Sequence, residues 1–435
     1  MRYSSELQDD YKDPAYEMVR NSFNELLTSK NLAFLFGSGC SSYLVNGEER
    51  GISTMGPLAQ GLLGYEYEDE ASQRGLTSEV KRTLLEELGI DLSDSEYTSN
   101  LERLMEVLFG FQFVLAKTAN PALIKTKAHL EQAIRTIKSY VFEKCLSGQA
   151  ADASEVMHLY QLFYRKLSQR SRSLPRPTVV TTNYDLFNEI AMDRTGVPYI
   201  NGFLGTVERK FNPASFRYTL AQKLDLTSQS WTSLDNLIYL IKLHGSLNWH
   251  TVKGDLFSVA ERPLSEARGG DAMLIYPTPA KQNASFAAPY SDMFREFQTR
   301  VVQDQSVLIA IGYGFGDEHV NNIIYQALTI PSFRLVIFAK PESDIEIANE
   351  HVKRLQDLND PRIWIIGTEK SGDWKAHYFK SFVEDVMPSG EMDPAEAAVE
   401  QIVQEYFSHN KADKDRKSTR LNSSHMPKSR MPSSA

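Results

Sequence analysis

The chain has 435 residues, 42% of them hydrophobic and 24% charged, with a formal net charge of -9 at pH 7. That length and apolar content suffice for one large core or two ordinary ones, and the acidic balance argues against a general affinity for nucleic acid, which needs a basic face. The two cysteines, Cys40 and Cys145, exclude a disulfide framework and a four-thiolate zinc site within one chain.

No apolar run approaches the roughly 18 residues that span a bilayer. Residues 1–13, MRYSSELQDDYKD, are polar and acidic where a secretory signal is basic and then apolar, so a cytoplasmic location is expected. In chain order, the first periodic segment is a helix over Tyr16 to Leu27, followed by an apolar run, Leu32 to Phe36, that reads as a buried strand. Between Pro57 and Arg170 the spacing turns helical. Leu84, Leu85 and Leu88, then Leu101, Leu104, Met105 and Leu108, then Met157, Tyr160, Leu162, Phe163 and Leu167 recur at three and four residues.

Further short, β-branched or aromatic runs follow at Thr178 to Thr181, Leu240 to Leu243, Met273 to Tyr276, Val307 to Ile311, Arg334 to Phe338 and Ile363 to Ile366. Strands of this kind with long connections predict an α/β fold built on a mainly parallel, Rossmann-like sheet covered on both faces. A last helix is expected over Pro394 to Phe407, opened by an Asp393 cap. Residues 417–435, KSTRLNSSHMPKSRMPSSA, are serine-rich without apolar period and resemble translated adapter read-through. They are set aside from the fold; carrying basic residues and no acid, they leave the rest of the chain more acidic still. The expected division is a helical segment (1–30), a sheet domain (31–56 and 171–390), a helical insertion (57–170), a C-terminal helix (391–412) and the tail (417–435), with no internal repeat.

Four motifs stand at predicted strand ends. Phe36-Gly37-Ser38-Gly39-Cys40-Ser41-Ser42 offers glycines that let the backbone turn and approach a pyrophosphate, although Ser42 replaces the third glycine of the dinucleotide fingerprint. Thr181-Thr182-Asn183-Tyr184-Asp185 places an amide and a carboxylate at the strand edge where open sheets bind ligands; the plain alternative is a helix cap. Leu243-His244-Gly245-Ser246 offers an imidazole, either a base or a structural histidine. Ile311-Gly312-Tyr313-Gly314-Phe315-Gly316-Asp317 is a second glycine loop, or simply a loop ending in the cap of a helix.

Together, in this order, the four motifs resemble the Sir2 family, with its GAG-x-S turn, T-Q-N-x-D segment, histidine before glycine and late G-x-S loop. The bacterial SIR2-like branch linked to phage defence, with T-N-Y-D, L-H-G-S and I-G-Y-x-F-x-D, is more similar still. The resemblance spans about Leu32 to Gly316. It implies a Sir2 fold that cleaves NAD+ to nicotinamide and ADP-ribose. By that resemblance, Gly37, Ser38, Gly39, Cys40 and Ser41 cradle the diphosphate. Asn183, with Thr182 beside it, adjoins the nicotinamide ribose and orders the attacking water. Asp185 contacts the nicotinamide carboxamide, His244 binds the ribose and acts as base, and Gly312, Tyr313 and Asp317 lie near the adenosine ribose.

The departures narrow the chemistry. Two cysteines cannot form the zinc ribbon of a deacylase, Thr182 stands where sirtuins have Gln, and a helical block replaces a short cofactor-binding loop. NAD+ glycohydrolysis with water as acceptor and no metal is therefore expected. A non-catalytic NAD+ or ADP-ribose sensor and an ADP-ribosyltransferase are the alternatives. NADP+ use stays open, because Glu48, Glu49 and Glu66 include no clear ribose-binding acid. The resemblance further implies a homo-oligomer serving anti-phage defence, with a HerA-like ATPase as candidate partner and the trigger supplied by a separate partner.

Overall fold

The computed structural model describes residues 2–3, 14–45, 48–63, 76–118, 120–151, 153–171, 173–223, 231–234, 236–252, 259–267, 272–274, 288–339, 349–367 and 376–388. The expected helix Pro394 to Phe407, the tail 417–435, Glu66 and Tyr276 lie outside these residues. The described residues belong to one compact unit that ends at Pro388.

Six of the apolar runs become strands of one parallel sheet. Its strands are β1 (Arg2–Tyr3), β2 (Asn31–Phe36), β3 (Thr178–Thr181), β4 (Tyr199–Ile200), β5 (Ile238–Lys242), β6 (Ser306–Ile311), β7 (Arg334–Phe338) and β8 (Ile363–Ile366). Their spatial order is β1-β8-β7-β6-β2-β3-β5-β4, and every neighbouring pair is parallel. The central six follow the doubly wound order, with the first strand, β2, beside the fourth, β6. The topological switch point, where α/β sheets open a ligand crevice, therefore lies between them.

Alternation along each strand sends side chains to two cores. Phe34, Phe36, Val179, Leu240, Ile309 and Ile311 face a cluster shared with the helical block. Ala33, Leu35, Val180, Ile241, Leu308 and Ala310 face the opposite cluster, covered by helices Tyr290–Val301, Glu318–Leu328 and Glu350–Asp357. Strands buried on both faces are why these segments read as unbroken apolar runs.

Between β2 and β3 lie an antiparallel hairpin, Ser42–Val45 with Glu48–Gly51, and helices Met55–Leu63, Ser78–Leu88, Ser95–Ser99, Leu101–Ala116, Ile124–Ala151 and Ala153–Ser168. The block docks through aromatic contacts. Phe163 meets Phe34 at 5.1 Å and Phe36 at 5.0 Å between ring centroids, both edge-on, and Tyr160 meets Phe36 at 6.0 Å. Each such pair adds about 0.5–1.5 kcal/mol beyond area burial. Leu84, Leu104, Met105 and Leu108 are buried as their spacing predicts, but Leu85 is 51% exposed, one position off the apolar stripe.

One predicted strand belongs elsewhere. Ala272–Leu274, which overlaps the start of the run read as Met273 to Tyr276, pairs antiparallel with Gly245–Thr251 in a second, five-stranded antiparallel sheet, which Phe203–Leu204, Arg209–Phe211 and Val259–Glu261 complete. This sheet grows from Gly245, immediately after His244, so it anchors the histidine loop from its far side.

Candidate active site

Register builds the site. Ile311 pairs with Phe36, Phe36 with Thr181, and Thr181 with Lys242, so these four residues form one row across β6, β2, β3 and β5. Whatever follows each of them emerges at the same carboxyl edge. Segments starting at Gly312, Gly37, Thr182 and Leu243, far apart in the chain, thus become neighbours.

The two glycine loops meet backbone to backbone. A Cβ on Gly37 would stand 2.3 Å from the Gly312 carbonyl oxygen, and one on Gly39 would stand 2.9 Å from Gly312 Cα. Gly312 itself has φ +61°, a left-handed conformation suited to glycine. Hydrogen bonds lock the contact: the Gly37 amide donates to Ile311 O and the Gly39 amide to Gly312 O, each at 3.0 Å. The Cys40 amide donates to Gly37 O and that of Ser41 to Ser38 O, also at 3.0 Å. These four amides are thus occupied within the protein, and of the turn Gly37 to Ser41 it is Ser38 and Ser41 that border the cavity described below. Cys40 points inward. Its thiol is fully buried, donates to Ile311 O at 3.2 Å and has its pKa pushed up, chiefly by that burial.

From β3, the Thr181 hydroxyl donates to Phe36 O at 3.1 Å and accepts the Asn183 amide at 3.0 Å, and the Thr182 amide donates to Phe36 O at 3.1 Å. This fixes Asn183. Its Nδ2 donates to Gly37 O and to Ser41 Oγ, both at 2.8 Å. Ser41 Oγ in turn donates to Asp185 Oδ2 at 2.5 Å. Because Gly37 O can only accept and the serine proton points to the carboxylate, the amide group of Asn183 must be oriented with nitrogen inward. Both its N–H bonds are used, and its carbonyl oxygen, an acceptor, has no partner among the described residues.

Asp185 is 2% exposed, and its Oδ1 accepts the Phe187 amide at 3.1 Å just ahead of helix Phe187–Thr195, whose cap position is Leu186 and not Asp185. Burial raises its pKa, opposed by Lys242 and by the Ser41 bond. Lys242, 1% exposed, donates to Ser246 Oγ at 2.8 Å, Tyr184 O at 3.3 Å and the Asp185 carbonyl, with Glu189 Oε1 3.1 Å away. A buried ammonium is tolerable only with such partners; here it pins the peptide that carries Asp185 and Asn183.

His244 follows β5. Its Nε2 lies 2.7 Å from Asp317 Oδ2, and the two side chains are each 7% exposed. Asp317 also caps helix Glu318–Leu328, its Oδ1 accepting the His319 amide at 2.8 Å and that of Val320 at 3.3 Å. The Tyr313 hydroxyl donates to Asp317 O at 3.2 Å and stands 3.1 Å from Asn321 Oδ1, and burial raises its pKa.

These groups border one cavity of about 290 Å³. Its floor is polar and comes from the sheet edge: Ser38, Ser41, Thr182, Asn183, Tyr184, Asp185, His244, Tyr313 and Asp317. Its roof is mainly apolar and comes from the helical block: Ile52, Met55, Leu58, Leu101, Val141 and Cys145, with Ser53, Asn100 and Glu102 as its polar members. The structure therefore gathers the predicted amide, carboxylates and imidazole around one space, while Gly37, Gly39, Cys40 and Gly312 shape the edge without lining it. Sequence reasoning missed the roof residues, Ser53, Asn100 and Glu102 among them. Asn100 reads as a helix cap, and it does cap Leu101–Ala116 by accepting the Glu102 and Arg103 amides. It also missed Lys242, although a lysine inside the run IYLIKL signals a buried partner.

Among the described residues, no group of three or more His, Cys, Asp or Glu is arranged to hold a metal ion, and no helix is long and apolar enough to cross a membrane. Residues 177–359 match the family described as SIR2-like domain. That span includes Asn183, Asp185, His244 and Asp317 but neither the first glycine turn nor the helical roof. The match supports a SIR2-like family and fits an NAD+-related activity, as does the doubly wound sheet. No curated protein matches the chain.

Proposed function

We propose that this protein binds NAD+ in the cleft and hydrolyses the bond between nicotinamide and ribose, releasing nicotinamide and ADP-ribose. The observation that carries this reading is the orientation of Asn183: both its N–H bonds are held by the protein, leaving a fixed acceptor in the same cavity as His244.

The chemistry follows from the charge of the leaving group. Nicotinamide departs from C1′ with the bonding pair and becomes neutral, leaving an oxocarbenium-like ribose, so the protein needs to orient water and exclude other acceptors more than to protonate anything. The Asn183 carbonyl accepts one hydrogen of the water and directs its lone pair at C1′. His244 takes the water's other proton as the C–O bond forms. Asp185 holds Ser41, which holds Asn183, and retains a lone pair for a carboxamide N–H at the cavity margin. The apolar roof suits the departing ring and keeps bulk water out. Water is the acceptor we favour over acyl-lysine, since Cys40 and Cys145, both buried, cannot furnish a four-cysteine zinc ribbon.

By the same resemblance we propose that NAD+ depletion serves defence against phage, in a homo-oligomer working beside a HerA-like ATPase. The test is incubation of the purified protein with NAD+, with and without such an ATPase, following free nicotinamide and ADP-ribose. Release by the parent and its loss in Asn183→Ala and His244→Ala, with melting temperature retained, is the expected result. Calorimetric binding of NAD+ without release under either condition would instead establish a sensor, and label left on a polypeptide would establish a transferase.

A further inference from the structure

The His244–Asp317 pair carries more than the resemblance assigned to it. We infer that Asp317 is a positioning residue that holds His244 in the tautomer protonated at Nε2, leaving Nδ1 as the proton acceptor of the cleft. This rests on the proposed hydrolytic reading, and it moves Asp317 from a supposed place beside the adenosine ribose to the support of the base.

Three observations lead there. The Nε2 to Oδ2 distance of 2.7 Å, between side chains that are each 7% exposed, is that of a charge-assisted hydrogen bond shielded from water. The second carboxylate oxygen is held by the His319 and Val320 amides at the first turn of an 11-residue helix, whose positive end favours the ionised carboxylate. An ionised carboxylate has no proton to donate, so the hydrogen in the contact resides on Nε2, and a neutral imidazole then keeps its lone pair on Nδ1. Nδ1 has no partner among the described residues, and His244 borders the cavity. Tyr313 and Asn321 brace the same loop, since the Tyr313 hydroxyl donates to the Asp317 carbonyl and Asn321 Nδ2 to Phe315 O at 2.7 Å.

The discriminating variant is Asp317→Asn. Its Oδ1 can still accept the two helix amides, so the cap survives, but its Nδ2 now presents hydrogen to His244 Nε2. The imidazole proton must then move to Nδ1, where it blocks the proton acceptor. In nicotinamide-release assays kcat should fall about 10²-fold or more, with KM changed less than about threefold, and the melting temperature should stay near that of the parent. Nitrogen-15 NMR of histidine-labelled protein, with His244 assigned by its loss in His244→Gln, should show an Nε2-protonated ring in the parent and an Nδ1-protonated ring in Asp317→Asn. The NMR reading needs no turnover, so it separates failure of this inference from failure of the hydrolytic reading. An Nδ1-protonated ring in the parent, or full kcat in Asp317→Asn, would overturn the inference. Should Asp317→Asn not fold, the tautomer in the parent decides it alone.

Discussion

Gly37 and Gly312 touch across the switch point of the sheet, close enough that one methyl group on Gly37 would stand 2.3 Å from the Gly312 carbonyl oxygen. Gly37 has φ -104°, open to any residue, so space and not dihedral freedom is what demands glycine there.

Gly37→Ala should therefore force β2 and β6 loops apart, destabilising the protein by about 2 kcal/mol or more and abolishing nicotinamide release. Gly314→Ala is the control, because nothing lies within 4 Å of its added Cβ and its φ is not positive. Thermal melts of the two variants check the contrast; equal melting temperatures would mean that the loops do not depend on this contact.

Ser41 is the hinge of the polar floor, accepting from Asn183 and donating to Asp185. Ser41→Ala leaves a buried carboxylate oxygen without its hydroxyl donor, a loss of about 1–3 kcal/mol. It also frees one N–H of Asn183, so the amide can rotate. We expect a fall in kcat of about 10- to 100-fold, measured as nicotinamide release at saturating NAD+. Unchanged kcat would show that Asn183 keeps its orientation without Ser41.

The ion pair beneath the floor gives a stability prediction. Lys242→Met leaves the Glu189 carboxylate buried without its cation and should cost about 3–5 kcal/mol. Burial already raises the Glu189 pKa, with Lys242 the main opposing influence. Adding Glu189→Leu should restore much of the loss, because the second change removes the stranded charge. Urea unfolding of parent, both single variants and the double variant supplies the coupling energy; additive losses would argue against the pair.

Most of the sheet is legible in the sequence, and for a physical reason. Strands buried on both faces have no polar positions to interrupt them, so Leu32 to Phe36 and Val307 to Ile311 stand out as apolar runs. The residues at their ends stand out equally, since Gly37, Asn183 and His244 each break such a run. The second sheet is not legible, because its strands are as short as the two residues Phe203–Leu204 and their pairing joins distant segments. Nor is the His244–Asp317 contact, which links residues 73 positions apart with no local pattern to mark it. The roof is the hardest part. Leu58, Leu101 and Val141 carry the same helical spacing as residues that only fill the core, and nothing in that period tells which turn overhangs a cleft.

The single row through Ile311, Phe36, Thr181 and Lys242 separates what must be conserved in geometry from what is free to vary. Strand pairing alone sets the relative height of the four motifs. The stretch between Ser42 and Thr178, beyond the glycine turn and Ser41, can therefore lengthen, shorten or be exchanged over evolutionary time without shifting the reactive edge. Such modularity makes the cover the natural place for divergence, with new control or new selectivity grafted above an unaltered base.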